Sequence, residues 1–122
     1  MQLIVRRLKK KGASREVSQE AISGDLIGIG RGSDQSIQIA DKRIPLSHSQ
    51  LIYRNGSLFI ETNSGNSVLV NNEAVRSSPL LADDVLEIAG YEIKLLEGDN
   101  GADFILEINL HFVLRLSGTL EL

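Results

Sequence analysis

Apolar and polar side chains alternate along this chain in short stretches that recur about every ten residues, with turn formers between them. The 3.6-residue period of an amphipathic helix is almost absent. Period-two alternation predicts strands over 2–9, 16–22, 26–29, 36–39, 50–54, 57–61, 68–70, 85–88 and 91–96, with Val17 leading the pattern in the second. Asn55-Gly56 is the sharpest turn signal, because both central positions of a type I′ turn need φ > 0. Ala89-Gly90 marks a second hairpin and Lys11 to Ser14 another. About ten strands in roughly 100 residues imply an all-β sandwich or barrel that carries its function on the loops at one end.

The segment after Glu97-Gly98-Asp99-Asn100-Gly101 has a different texture. From 104 to 116 the even positions, beginning Phe104, Leu106, Ile108 and Leu110, form one continuous apolar face, while the odd side, with Glu107, Asn109 and His111, is mixed. That pattern predicts a long amphipathic strand, an aggregation liability if left unpaired. It is expected to add to this domain's sheet, to be exchanged with a second copy in a homodimer, or to begin a following region or vector-encoded extension. Residues 1–97 are accordingly read as one domain and 98–122 as a linker and C-terminal strand.

Composition narrows the class. The 122 residues are 42% apolar and 24% charged, enough oily surface to offset the entropy of ordering one core and too little chain for a second. No apolar run approaches the roughly 18 residues of a bilayer helix, and the first residues lack the order of regions of a signal peptide, so a soluble, cytoplasmic protein is expected. The absence of cysteine excludes disulfides, Cys-zinc sites and thiol catalysis. Net charge is −3, yet all six ionisable residues from Arg6 to Arg15 are basic, so the rest of the chain carries about −9. An anionic partner at that edge and a solvated hairpin whose lysines discourage edge pairing both fit. Three Phe, two Tyr and no Trp offer no stacking platform, so nucleic acid is not expected as a partner.

Catalytic and cofactor signatures are missing. Gly28-Ile29-Gly30-Arg31-Gly32 lacks the third Gly that opens a helix in a dinucleotide fold and runs into a strand instead. Ser47-His48 has no nucleophile elbow, His48 and His111 stand in unlike contexts, and Asp83-Asp84 reads as a turn. No enzyme, no metal, no cofactor and no small-molecule substrate are expected.

Five pieces in order resemble the forkhead-associated (FHA) family of phosphothreonine-reading domains, over roughly Leu3 to Leu96. They are Ile29-Gly30-Arg31; Ile37-Gln38-Ile39 with Asp41; His48 followed by Leu51-Ile52-Tyr53; Ser64-Gly65-Asn66-Ser67-Val68-Leu69-Val70-Asn71-Asn72; and Asp83-Asp84-Val85-Leu86-Glu87-Ile88-Ala89-Gly90. The resemblance implies an FHA-type sandwich of about 10–11 strands whose loops hold a phosphothreonine peptide in extended form. A phosphate with nearly two negative charges calls for a guanidinium fork plus hydroxyl and backbone donors. By resemblance Arg31 takes the phosphate, Arg43 with Lys42 beside it assists, Asn66 fixes the peptide main chain, and Gly30, His48 and Asn71 structure the loops.

Departures from the family pattern matter as much. Three residues before His48, where the family has its phosphate-binding Ser, stands Pro45, with neither hydroxyl nor N–H. Leu46 replaces a polar neighbour, Gly65 stands where a Thr hydroxyl is frequent, and Asn66-Ser67 lacks the family's Gly-Thr. Each lost charge-assisted hydrogen bond is worth about 1.5–3 kcal/mol, a deficit that Ser47 or Ser64 is positioned in sequence to offset. The expectation is a non-catalytic signalling module that binds a phosphothreonine segment of a partner protein or of its own protein's other regions. The alternative is a phosphate-independent FHA scaffold used in assembly.

Overall fold

The computed structural model describes residues 1–11 and 13–110, which hold twelve strands and no helix. They are β1 (Gln2–Lys11), β2 (Ser14–Ser23), β3 (Leu26–Gly30), β4 (Ile37–Gln38), β5 (Ser49–Arg54), β6 (Ser57–Thr62), β7 (Val68–Val70), β8 (Glu73–Val75), β9 (Ser77–Leu80), β10 (Val85–Ile88), β11 (Tyr91–Glu97) and β12 (Phe104–Asn109). Two sheets face each other, one ordered β2-β1-β12-β11-β10-β7-β8 and the other β4-β3-β5-β6-β9. The all-β sandwich read from the alternation is the observed architecture.

Alternation explains the layering. Leu3 and Val5 of β1, Ile93 and Leu95 of β11, and Leu106 and Ile108 of β12 point inward from the larger sheet and are essentially inaccessible. Ile27, Ile29, Leu51, Leu58 and Ile60 meet them from the smaller one. Each such side chain contributes about 1.5–3 kcal/mol by leaving water. Asn55 and Gly56 turn the β5–β6 hairpin with φ of 52° and 77°, the left-handed pair that a type I′ turn requires.

The tail packs inside the larger sheet. β12 runs parallel to β1, with Leu3 opposite Phe104 and Leu8 opposite Asn109, and antiparallel to β11 on its other edge. Its apolar face is buried at Leu106 and Ile108, whereas Phe104 and Leu110 are partly covered. Ile105, on the opposite face, is also buried, beside Ile4 and Leu96. The remainder of the expected amphipathic strand, 111–116, lies outside the described residues.

Three elements differ from the sequence reading. Val17 does not lead a buried face: it is 57% exposed, because β2 is an edge strand on a hairpin that no strand of the other sheet covers. β8 was not expected. Asn71 and Asn72 both adopt positive φ and make a hairpin turn from β7 into it. β9 contains Pro79, which argues against a strand in general but is tolerated on an edge, and β9 pairs only with β6.

Candidate functional site at the loop end of the sandwich

β3 ends in buried Ile29 and Gly30, and its ladder continues past the strand along the loop between β4 and β5. His48 donates its N–H to the Ile29 carbonyl, Arg31 to Pro45 and Gly32 to Leu46, at 2.9, 2.9 and 3.0 Å. These bonds lay the 45–48 segment flat against 29–32. Gly30 is obligatory here, because a Cβ would drive into the backbone carbonyl of Leu46, which cannot swing away as a side-chain tip does.

Arg31 leaves this stitched corner half buried. Its Nε donates to the Ile44 carbonyl at 2.9 Å, and its own carbonyl accepts from Gln38 Nε2 at 3.0 Å. Neither Asp34 nor Asp41, two carboxylates that follow it in sequence, pairs with it. The side chain makes no ion pair among the described residues, so both terminal amino groups keep their donors.

Arg43 is engaged differently. Its Nε and Nη2 grip the two oxygens of Asp41 at 2.9 and 2.5 Å, and its backbone N–H adds a third bond to Asp41 at 2.9 Å. The Tyr91 hydroxyl, at the start of β11, donates to the same carboxylate at 2.7 Å, and the guanidinium lies 5.8 Å from the centre of the Tyr91 ring. Asp41 is held far below the usual carboxylate range, by the Arg43 side chain first and the Tyr91 hydroxyl second. Tyr91 is pushed above its ordinary value, chiefly by that bond to Asp41. The sequence reading cast Arg43 as a helper at the phosphate. In the fold its guanidinium is paired with Asp41, which the Tyr91 hydroxyl ties to the larger sheet.

The third loop joins the first two through Asn63 and His48. Asn63 Nδ2 donates to both the carbonyl and the hydroxyl of Ser47, at 2.9 and 2.5 Å, and its N–H to the His48 carbonyl at 2.9 Å. Asn66 Nδ2 reaches the His48 carbonyl at 3.3 Å, while its backbone carbonyl accepts from Thr62 Oγ1. The His48 ring is buried, 3.1 Å from Ser49 Oγ, and also hydrogen-bonds the backbone of Ser67. Burial lowers its pKa, and the Ser67 bond opposes part of that shift.

The remaining candidates divide. Lys42, Ser64, Pro45 and Leu46 are exposed, Leu46 by 59%. Asn71 works at another turn, accepting from Val85 N–H and donating to Asp84, both at 3.0 Å. Gln38, Asn63 and Tyr91 had no role in the sequence reading; each reaches the site through a tertiary hydrogen bond that no spacing announces. Among the described residues no group of His, Asp or Glu is arranged to hold a metal ion.

The comparisons with known proteins bear on this geometry. The sequence profile of the FHA domain matches residues 27–89, just over half of the chain and the stretch that holds all three loops. No curated protein matches the chain. Among solved structures it is similar to the FHA-2 domain of a Mycobacterium tuberculosis ABC transporter, at 26% identity and a TM-score of 0.56 over 64% of this chain and 73% of that one. It is also similar to an FHA domain from Chlamydia trachomatis, at 18% identity and a TM-score of 0.63 over 80% and 98%. A third is M. tuberculosis EmbR, solved with a low-affinity phosphopeptide, at 22% identity and a TM-score of 0.56 over 62% of this chain and 20% of that one. A two-sheet sandwich whose profile match begins in β3 and ends after β10 leaves one assignment: this chain belongs to the FHA domain family, non-catalytic modules that typically bind phosphothreonine peptides.

Proposed function

We propose that this domain is a cytoplasmic reader of a phosphothreonine-containing segment, on a partner protein or on another region of its own protein, with Arg31 as the phosphate clamp. The observation that carries the reading is the state of that side chain. One N–H fixes the guanidinium to the Ile44 carbonyl, and the terminal amino groups face no internal anion among the described residues. A fork held ready in this way meets two phosphate oxygens with little loss of side-chain freedom. EmbR, bound to a phosphopeptide, supplies a precedent for this scaffold and not for these residues.

The rest of the pocket is degenerate. Pro45 brings no hydroxyl and no N–H, and Arg43 is committed to Asp41. Ser47, one loop residue from His48 and steadied by Asn63, is the hydroxyl we assign to the phosphate in place of the missing one. Lys42, exposed next to Arg43, adds positive charge, and the Asn66 side-chain oxygen, free of protein donors among the described residues, accepts from the peptide main chain. Ser64 is left at the exposed tip of its loop.

Pro45 and exposed Leu46 favour a second reading, an assembly domain that ignores phosphate. Fluorescence anisotropy with matched phosphorylated and unphosphorylated threonine peptide libraries separates the two. The expected result is a preference for phosphate that Arg31→Ala reduces by about 10- to 100-fold, the worth of one or two charge-assisted bonds. No preference, or no effect of Arg31→Ala, establishes the assembly reading instead.

A further inference from the structure

The β1–β2 hairpin does more than complete a sheet. Leu3 and Val5 bury the inner face of β1, and two and four residues further on that same face carries Arg7 and Lys9, beyond the cover of the other sheet. The paired strand β2 is exposed along nearly its whole length. The hairpin therefore overhangs the sandwich, and it does so at the loop end. Arg7 Nη1 donates to the Gln38 carbonyl at 2.7 Å, and Gln38 in turn donates from Nε2 to the Arg31 carbonyl. Two hydrogen bonds thus join the root of the overhang to the proposed phosphate clamp. At the root of the overhang lies an open groove of about 440 Å³, lined by Arg7, Lys9, Gln38, Ala40 and Tyr91 among others.

The outer cations of the overhang make no ion pair among the described residues, whereas those at its root do, although Lys9 stands opposite Glu16 in the ladder. Arg6 pairs with Glu107 at 3.0 Å and Arg7 lies 3.7 Å from Glu20. Further out, Lys9, Lys10 and Arg15 make no ion pair among the described residues. Lys10 stands directly opposite Arg15 in the ladder, a like-charge pairing that costs stability. The three cations line a second concavity with Leu8 and Asn109. In a chain whose other residues carry about −9, three cations that make no ion pair among the described residues thus stand together on this hairpin.

We propose that the overhanging hairpin is a second recognition surface for the same partner: Lys9, with Lys10 and Arg15 beside it, binds a run of Asp or Glu that flanks the phosphothreonine held at Arg31. The assignment rests on the reading of Arg31 given above. Charge complementarity selects an acidic segment, and the hydrogen-bonded continuity through Gln38 selects one covalently attached to the phosphorylated residue. Residues 2–23 contain no aromatic ring on which a nucleobase would stack.

The test uses the full chain at low and at physiological salt. Phosphothreonine peptides carry a run of Glu on the N-terminal flank, on the C-terminal flank, or a run of Gln instead, and an unphosphorylated Glu peptide completes the set. Binding is measured for the wild type, Arg31→Ala and the triple variant Lys9→Gln, Lys10→Gln, Arg15→Gln, whose thermal unfolding verifies that it folds. One acidic flank is expected to tighten wild-type binding about tenfold at low salt, with the gain shrinking as salt screens it. The triple variant is expected to lose that gain while binding the Gln-flanked phosphopeptide as the wild type does. Equal affinity for Glu and Gln flanks, or an acidic preference that survives in the triple variant, overturns the proposal. So does hairpin-dependent binding to phosphatidylserine-containing vesicles or to single-stranded DNA without any peptide preference. If phosphate and Arg31→Ala prove to be without effect but the unphosphorylated Glu peptide still binds through the hairpin, the reading of Arg31 fails and the acidic site stands.

Discussion

Two guanidiniums twelve positions apart lie in adjoining loops of one end of this sandwich, and the fold treats them oppositely. Arg43 closes its fork on Asp41, two residues away, and stacks against Tyr91, so its charge is neutralised where it stands. Arg31 is held by a carbonyl through a single N–H and meets no carboxylate among the described residues. A bidentate pair to an internal acid satisfies a cation; one bond to a neutral oxygen orients it and leaves most of its electrostatic demand unmet. On the proposed reading, what suits Arg31 and not Arg43 to a phosphate is the absence of a nearer anion among the described residues together with a backbone that fixes its direction.

That direction depends on the staples between 29–32 and 45–48, so breaking them tests the contrast most strongly. Gly30→Ala puts a methyl group against the Leu46 carbonyl and forces the two segments apart. Destabilisation of about 2–3 kcal/mol is expected in urea unfolding, in the range of overpacking in a well-packed interior. The surviving folded protein is expected to lose Arg31-dependent peptide binding while the local Asp41–Arg43–Tyr91 cluster persists. A loss of stability within about 0.5 kcal/mol, the range of an ordinary surface change, contradicts the account of the staples.

The fold was legible because period-two alternation and turn chemistry are local. Leu51, Leu58 and Ile60 around Asn55-Gly56 announce a hairpin without any knowledge of what it packs against. The misreadings came where tertiary context prevails. Val17 alternates as a buried residue would, but burial requires an opposing layer, and at an edge there is none. Pro79 weakens a strand signal that only an edge position rescues. At the site, family order marked Arg31, His48 and Asn66, whereas the partner of Arg43 was not readable. Asp41 lies two residues from Arg43 and ten from Arg31, and the bond that ties this pair to the other sheet comes from Tyr91, fifty residues away, which no spacing announces.

Releasing Arg43 sharpens the comparison with a smaller expected effect. Asp41→Asn removes the carboxylate that neutralises it, and the second fork is then free to act beside Lys42. Phosphopeptide affinity at low salt is expected to rise severalfold, with a steeper salt dependence, and Tyr91 to titrate closer to its ordinary value of 10.0 in an ultraviolet absorbance titration. The stability of the variant should also respond less to acid. A carboxylate whose folded pKa is depressed stabilises the fold above its ordinary value of 3.8 and loses that contribution as pH falls below it. If affinity and salt slope stay those of the wild type, internal pairing is not what withholds Arg43 from the ligand.

The smallest effect concerns what holds the corner together under Arg31. His48 is buried between Ser49 Oγ and the backbone of Ser67, and burial depresses its pKa below the ordinary 6.5. The unfolded chain therefore binds a proton there before the folded one does, so stability is complete above about pH 6.5 and declines as pH falls below it. His48→Gln keeps a side-chain donor and removes the titration. Unfolding midpoints measured between neutral pH and the onset of carboxylate protonation are expected to fall in the wild type and to fall less in the variant. Peptide binding through Arg31 is expected to weaken along with the wild-type midpoint, since the 45–48 segment that ends in His48 is stapled to the 29–32 segment that carries Arg31. A wild-type midpoint that stays level over this range, or Arg31-dependent binding that holds while the midpoint falls, overturns this role of His48 beneath Arg31.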